Sequence, residues 1–387
     1  MRWCSEQVPL AGLEAGVAGV CAASHEDRPR WFFVTMAGRV LGFDLDDGAT
    51  FFTAQLPFGF APLREPLPGG PPSAGVATVV TSRDGRFLAV VETWGRRGAV
   101  FDVARGVLLK ELARGDYHPD VSGWAVAIRD DVLVVATEWN RLEAWRLPSC
   151  ERLAPASDES ELDYFWGLAT LSPQQRSFAS FGWHWHPVGT LRVVELERWL
   201  SSREDPPPMP FETVMADWWD ASVCWLDERR LVLVGSEAKD DDWYMASQDG
   251  LLILDLETRA VDRFLPGLVS RELAFDGRHL ILLDQAETRA VALDGEVLAR
   301  HDAGAHAWHP GTHTALRLPD AGSNVVSVHW VAGALGRVDA GPTDTSPGAL
   351  AVLADALEEQ GGDAVAIAHC RAGGPHGRRC WVVEGLR

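Results

Sequence analysis

A short apolar strand recurs seven times along this chain: "GFDL" around Phe43, "VFDV" around Phe101, "EAWRL" around Trp145, "RVVEL" around Val194, "ILDL" around Leu254, "VALD" around Ala292 and "VSVHW" around Val328. The intervals are 58, 44, 49, 60, 38 and 36 residues. One copy can be parsed completely. Ser82-Arg83-Asp84-Gly85 is a turn signal, Phe87 to Val91 a buried β run, and Gly95-Arg96-Arg97-Gly98 a second turn. Ala99 to Val103 is then a third strand, and Val107 to Leu112 a fourth after the turn at Arg105-Gly106. With Val76 to Val80 in front, each copy holds four antiparallel strands.

A four-stranded sheet standing alone cannot cover its two faces, so copies of it must stack around an axis. Units of about 40–50 residues with four strands each are the signature of propeller blades. The chain therefore reads as an all-β, seven-bladed β-propeller over residues 1–340. Its blades fall near 11–57, 75–113, 122–155, 165–216, 220–266, 269–302 and 303–338. The last has only three clear strands, and the segment near Arg2 to Val8 is expected to supply its outer strand, closing the ring and removing an aggregation-prone edge. A ring of repeats also explains how 387 residues avoid the usual division into several compact domains.

The pattern changes after "RVDAGPTDTSP". Ser346 can cap a helix with Pro347 at its first position, Leu350, Leu353, Ala354 and Leu357 line one face, and Gly361-Gly362 ends it. Residues 345–387 are thus expected to form a short α-helical appendage, too small for a core of its own.

The stretch "RDGRFLAVVE…GAVFDVARGVLLKEL" resembles the blades of WD40-like bacterial β-propellers, over residues 1 to about 340. The Gly-His and Trp-Asp dipeptides of the eukaryotic members are missing, so their Asp-His-Ser-Trp network does not carry over. The resemblance implies a binding platform without intrinsic catalysis. In the C-terminal segment, "LADALEEQG" and "HCRAGGPHGRRCWVV" resemble the short repeat-companion domain of planctomycete and myxobacterial protein families, which implies lineage more than mechanism.

A net charge of −20 argues against a nucleic-acid partner, because phosphate binding depends on clustered Lys and Arg, and favours cationic partners. Only two lysines occur among the 35 basic residues, a bias that suggests a GC-rich bacterial genome. Six widely spaced cysteines fit a reducing cytoplasm better than a secreted disulfide framework. Neither a leader nor an apolar stretch of the ~20 residues needed to span a bilayer is visible, so no membrane association is expected.

Function is expected in the loops that propeller topology gathers at one end, those between second and third strands and those between blades. "GDYHPDVSGW", "SDESELDYFWG" and "ADWWD" each place an acid before an aromatic residue, and "GWHWHPVG" and "SEAKDDDWYMASQDG" add to them. Tyr117, His118, Tyr164, Phe165, Trp166, Trp183, His184, Trp185, His186, Trp218, Trp219, Trp243 and Tyr244 are the candidate partner-binding residues. Tyr and Trp offer large contact area at low entropic cost, and the carboxylates would select a basic segment of a protein or peptide. The competing reading is that these rings wedge between blades, as Trp124, Trp145 and Trp225 on strands are expected to do.

No P-loop, nucleophile elbow or dinucleotide fingerprint is present, and no cofactor is expected. His184 and His186 share one side of a strand and could hold a metal, with Asp217 or Asp242 as a carboxylate ligand. That would make the alternative a metal-dependent enzyme or small-ligand binder at the channel mouth. His369, Cys370, His376 and Cys380 form a second thiolate–imidazole set, but without a C-x-x-C pair. The favoured expectation is a cytoplasmic, non-catalytic interaction or regulatory scaffold, with a bacterial signalling or defence system as its setting.

Overall fold

A computed structural model describes residues 2–23, 28–61, 77–118, 122–155, 160–184, 188–202, 204–205, 209–210, 222–236, 249–284, 286–320, 322–332 and, near the C-terminus, 351, 354–355, 357–358, 367 and 370–371. Among them lie seven four-stranded antiparallel sheets. Blade 1 comprises β2 (Val17–Ala22), β3 (Arg30–Thr35), β4 (Arg39–Asp44) and β5 (Thr50–Gln55). Blade 2 holds β6 (Ala77–Thr81), β7 (Phe87–Glu92), β8 (Arg97–Asp102) and β9 (Val107–Ala113). In blade 3 are β10 (Val126–Arg129), β11 (Val132–Ala136), β12 (Leu142–Arg146) and β13 (Glu151–Ala154). Blade 4 contains β14 (Ala169–Leu171), β15 (Ser177–His184), β16 (Val188–Glu195) and β17 (Met209–Pro210).

Blade 5 follows with β18 (Val223–Trp225), β19 (Arg230–Ser236), β20 (Asp249–Asp255) and β21 (Ala260–Pro266). Blade 6 has β22 (Glu272–Phe275), β23 (Leu280–Leu283), β24 (Thr288–Val291) and β25 (Val297–His301). Blade 7 takes β26 (Ala307–His309), β27 (Thr314–Arg317) and β28 (Val325–Ala332) from the end of the ring and β1 (Arg2–Pro9) from its start. The molecule is a seven-bladed β-propeller. The recurring strand is the third of each blade, with Ala292 one residue past the end of β24.

β1 runs antiparallel to β28, with Arg2 opposite Ala332 and Pro9 opposite Val325. The ring is therefore closed by sheet pairing within blade 7.

Burial explains why the strands read as they do. The middle strands are covered on both faces and are nearly continuous apolar runs, as in β3, β7 and β23, whereas the outermost strands β5, β9 and β21 are largely exposed. At the turns, one device recurs. The carboxylates of Asp44, Asp102, Asp227, Asp255 and Asp276 accept backbone N–H bonds from residues two or three further on. Gly85 and Gly106 take φ of 71° and 65° in blade 2, a conformation open to glycine without steric cost.

Blade 4 departs from the simple repeat. Leu196–Ser202 forms a helix, α1, between its third and fourth strands. Leu196 and Trp199 are buried, and the spacing of Leu196, Trp199 and Leu200 is that of one helical face. Beyond the ring, Ala351, Ala354, Asp355, Leu357, Glu358, Ile367, Cys370 and Arg371 are helical. Ala354, Leu357 and Cys370 are buried, and Arg371 pairs with Asp355 and Glu358.

Candidate functional site

The antiparallel order of the four strands places the start of the loop between second and third strands and of the connection to the next blade at the same end of a blade. At the junction of blades 2, 3 and 4 these loops bring five rings together. Phe165 stacks on Trp183 with 3.9 Å between centroids and 4° between planes. Trp139 lies 4.5 Å from Phe165, and Tyr117 lies 6.0 Å from Phe165 and 5.6 Å from Trp139. His118 meets Tyr117 edge-on at 4.7 Å. The result is a continuous aromatic stack that begins inside the ring at Trp183, 5% exposed, and ends in solvent at Tyr117, 43% exposed.

Backbone pairing holds its inner end. Phe165 N–H donates to the Trp183 carbonyl at 2.7 Å, and Trp183 N–H donates back at 3.1 Å. Gly182, next to Trp183, lies so close to the Phe165 carbonyl and the Tyr164 ring that a Cβ would collide with both. Trp166 donates its backbone N–H to the Trp139 carbonyl and its indole N–H to the Asn140 carbonyl, both at 3.0 Å. The Asn140 amide in turn donates to the carbonyls of Ser160 and Leu162. Thus the loop 137–141 of blade 3 is pinned to the blade 3–4 connection.

The outer end rests on a buried cation. Arg114 donates to the Ser122 carbonyl at 3.1 Å and to its hydroxyl at 2.6 Å. Burial pushes its pKa down to about 10, against the opposing pull of Glu138. The loops that carry these rings are acidic, with Asp116, Glu161 and Asp163 exposed and Glu138 half-buried.

The structure separates the expected site residues. Tyr117 and His118 stand on the surface. Tyr164, Phe165, Trp166 and Trp183 do not: they are buried, so their rings present almost no area to a partner and serve as packing. Tyr164 shows why. Its hydroxyl reaches the carbonyls of Ser180 at 3.0 Å and Thr190 at 2.9 Å, and the Arg192 guanidinium lies 4.3 Å above its ring. Burial raises its phenol pKa well above the ordinary value. Trp124 and Trp225 are likewise buried; the Trp225 indole reaches the Thr170 carbonyl of blade 4 at 3.4 Å.

His184 is the last residue of β15. Trp185, His186, Trp218, Trp219, Trp243 and Tyr244 lie outside the described residues, as do His369, His376, Cys380, Asp217 and Asp242. Among the described residues no three His, Cys, Asp or Glu side chains are arranged to hold a metal ion, and Cys370 is buried. Trp139 is the residue that sequence reasoning missed. It follows the same acid-then-aromatic rule, Glu138-Trp139, in the second-to-third-strand loop of blade 3.

No family model matches the chain, and no curated protein matches it. Among solved structures, it is similar to hydrazine synthase of Kuenenia stuttgartiensis, with a TM-score of 0.57, 13% identity, and coverage of 81% of this chain and 95% of that one. It is also similar to U3-55K, with a TM-score of 0.53, 11% identity, and coverage of 84% and 98%. At these identities the likeness is one of fold. No helix among the described residues is long and apolar enough to cross a membrane.

Proposed function

We propose that the protein is a non-catalytic binding platform of the WD40-like kind, working in the cytoplasm of a bacterium, whose partner is a protein segment rich in basic residues. The appended segment is read as the repeat-companion type on its quoted residues. The single observation that supports a platform is Tyr117: an aromatic ring 43% exposed, backed by Trp139 and Phe165, on a set of loops that also carries Asp116, Glu138, Glu161 and Asp163. A ring held from behind loses little entropy on contact, and the carboxylates select a cation. The docking surface centres on Tyr117, His118 and Trp139 over blades 2 to 4, with Tyr164, Phe165, Trp166 and Trp183 as its support.

The test is fluorescence anisotropy with extended decapeptides that alternate Arg with apolar residues, against copies in which Glu replaces Arg. The basic peptides should bind, and the Tyr117→Ala/Trp139→Ala double variant should bind about tenfold more weakly or worse with Tm nearly unchanged. Equal binding of acidic and basic peptides, or binding indifferent to the two rings, would refute the reading.

A further inference from the structure

The two faces of blade 7 are packed differently. Toward blade 1, Val8, Val326 and Val328 meet Trp31, Phe33, Leu41 and Phe43 in a core of large side chains. On the blade 6 side the core is richer in alanine: Ala274, Ala290, Ala299, Ala305 and Ala315 join Ile281 and Leu283, with Trp3 and Trp308 packed against them. His329 lies on this second side. It sits on β28 opposite Ser5 of β1 and Ala315 of β27, and is 2% exposed.

Its ring packs edge-on against His301 of β25, 4.4 Å between centroids, and Trp3 packs on His301 at 6.0 Å. Neither ring nitrogen of His329 has a hydrogen-bond partner, nor does the Trp3 indole nitrogen. A buried neutral imidazole tolerates this at some cost; a buried imidazolium does not.

The charges around the pair make protonation worse. From β27, Arg317 acts on His329, and from β25, His301 does; with burial as the largest cause, all three hold its pKa down at about 4. β1 presents Ser5 and Trp3 on this face, and β26 presents Trp308. Asp302 acts on His301, whose pKa burial nonetheless lowers, and no carboxylate acts on His329. Arg300 of β25 pairs with Glu287.

We infer that the blade 6–7 seam is an acid-operated latch, in which protonation of the His301–His329 pair drives His329 into water and lifts β1 off β28. The charge cannot be accommodated where it forms. Trp3 of β1 packs on His301, so admitting water to the pair displaces that ring and the strand that carries it, and β1–β28 is the pairing through which the ring is closed. Freed in this way, the propeller would open at its N-terminal strand while the other six blades keep their sheets.

The experiment is pulsed hydrogen exchange followed by mass spectrometry on the full chain between pH 7 and pH 4, corrected for intrinsic rates. In the wild type, protection of the segment 2–9 should fall about a hundredfold over this interval, since each unit of pKa difference is a factor of ten. Blades 2 to 5 should stay protected. His329→Leu and, separately, His301→Leu should shift the release of β1 to lower pH by about a unit or more. His306, acted on by Arg271 and Arg317, and His313, acted on by Asp276, also face blade 6 and have pKa values lowered by burial; both remain intact in the two variants, so the shift between variants and wild type reads the His301–His329 pair alone. Should His329→Leu fail to fold at pH 7, His329→Gln supplies the neutral comparison. Undiminished protection of 2–9 at pH 4, loss of all blades in one transition, or release at the wild-type pH in every folded variant would overturn the inference.

Discussion

Phe165 and Trp183 exchange both backbone hydrogen bonds and stack ring on ring, joining the blade 3–4 connection to the end of β15. Support and contact are thereby divided between two ends of one stack. Trp183→Ala removes a buried indole and should cost about 3–5 kcal/mol, while Tyr117→Ala at the exposed end should cost less than about 1 kcal/mol. Denaturant midpoints of the two variants check this. Equal losses would mean that Tyr117 is a packing residue too.

Tyr164 should resist ionisation in the folded protein. Its folded pKa is raised by burial, so the group contributes stability that is fully present below the unfolded value near 10 and is lost as pH rises above it. Of the three tyrosines in the chain, Tyr164 should not ionise in the native protein; its phenolate signal should appear only as the protein unfolds in alkali. Tyr164→Phe should abolish that component and cost about 1–2 kcal/mol at pH 7, because the Ser180 and Thr190 carbonyls lose their donor. Absorbance at alkaline pH, with circular dichroism in parallel, decides the matter.

Arg114 anchors the loop that carries Tyr117. Arg114→Met leaves the buried Ser122 carbonyl and hydroxyl without their donor and should cost about 2–3 kcal/mol. Binding of the basic peptides should weaken in step, as the Tyr117 loop loses its base. Thermal melting and anisotropy on one preparation measure both effects.

Removing residues 2–9 should expose the edge of β28, with Val326, Val328 and Trp330 along it. An unpaired apolar edge templates association. Size-exclusion chromatography should show oligomers or aggregate where the full chain elutes as a smaller species. A truncated chain with unchanged elution and melting would show that β1 contributes little to closure.

Much of this architecture was legible from local signals. The "RDG" and "ARG" turns, the apolar middle strands and the spacing of Phe43, Phe101, Trp145 and Val194 identify blades because strand and turn propensity act within a few residues. Even the pairing of Arg2–Pro9 with β28 follows from counting strands. The helix Leu196–Ser202 escaped that count, since seven residues with one apolar face resemble a strand turn until packing decides them.

The aromatic face was legible only in composition. The chain places rings in these loops, but the pattern "DYFWG" is the same whether a ring points to water or to the core. Burial of Tyr164, Phe165 and Trp166 and exposure of Tyr117 depend on Gly182, Asn140 and Thr190, which reach the site from other strands and loops. Likewise, nothing near His329 in the chain announces His301 beside it, nor Trp3 beside His301. Sequence by itself determined the number and order of blades, because hydrogen-bonded strands and turns are local. Only the tertiary structure decided which side chains face water, because closing the ring sets blade against blade and removes solvent from rings that no local rule could distinguish.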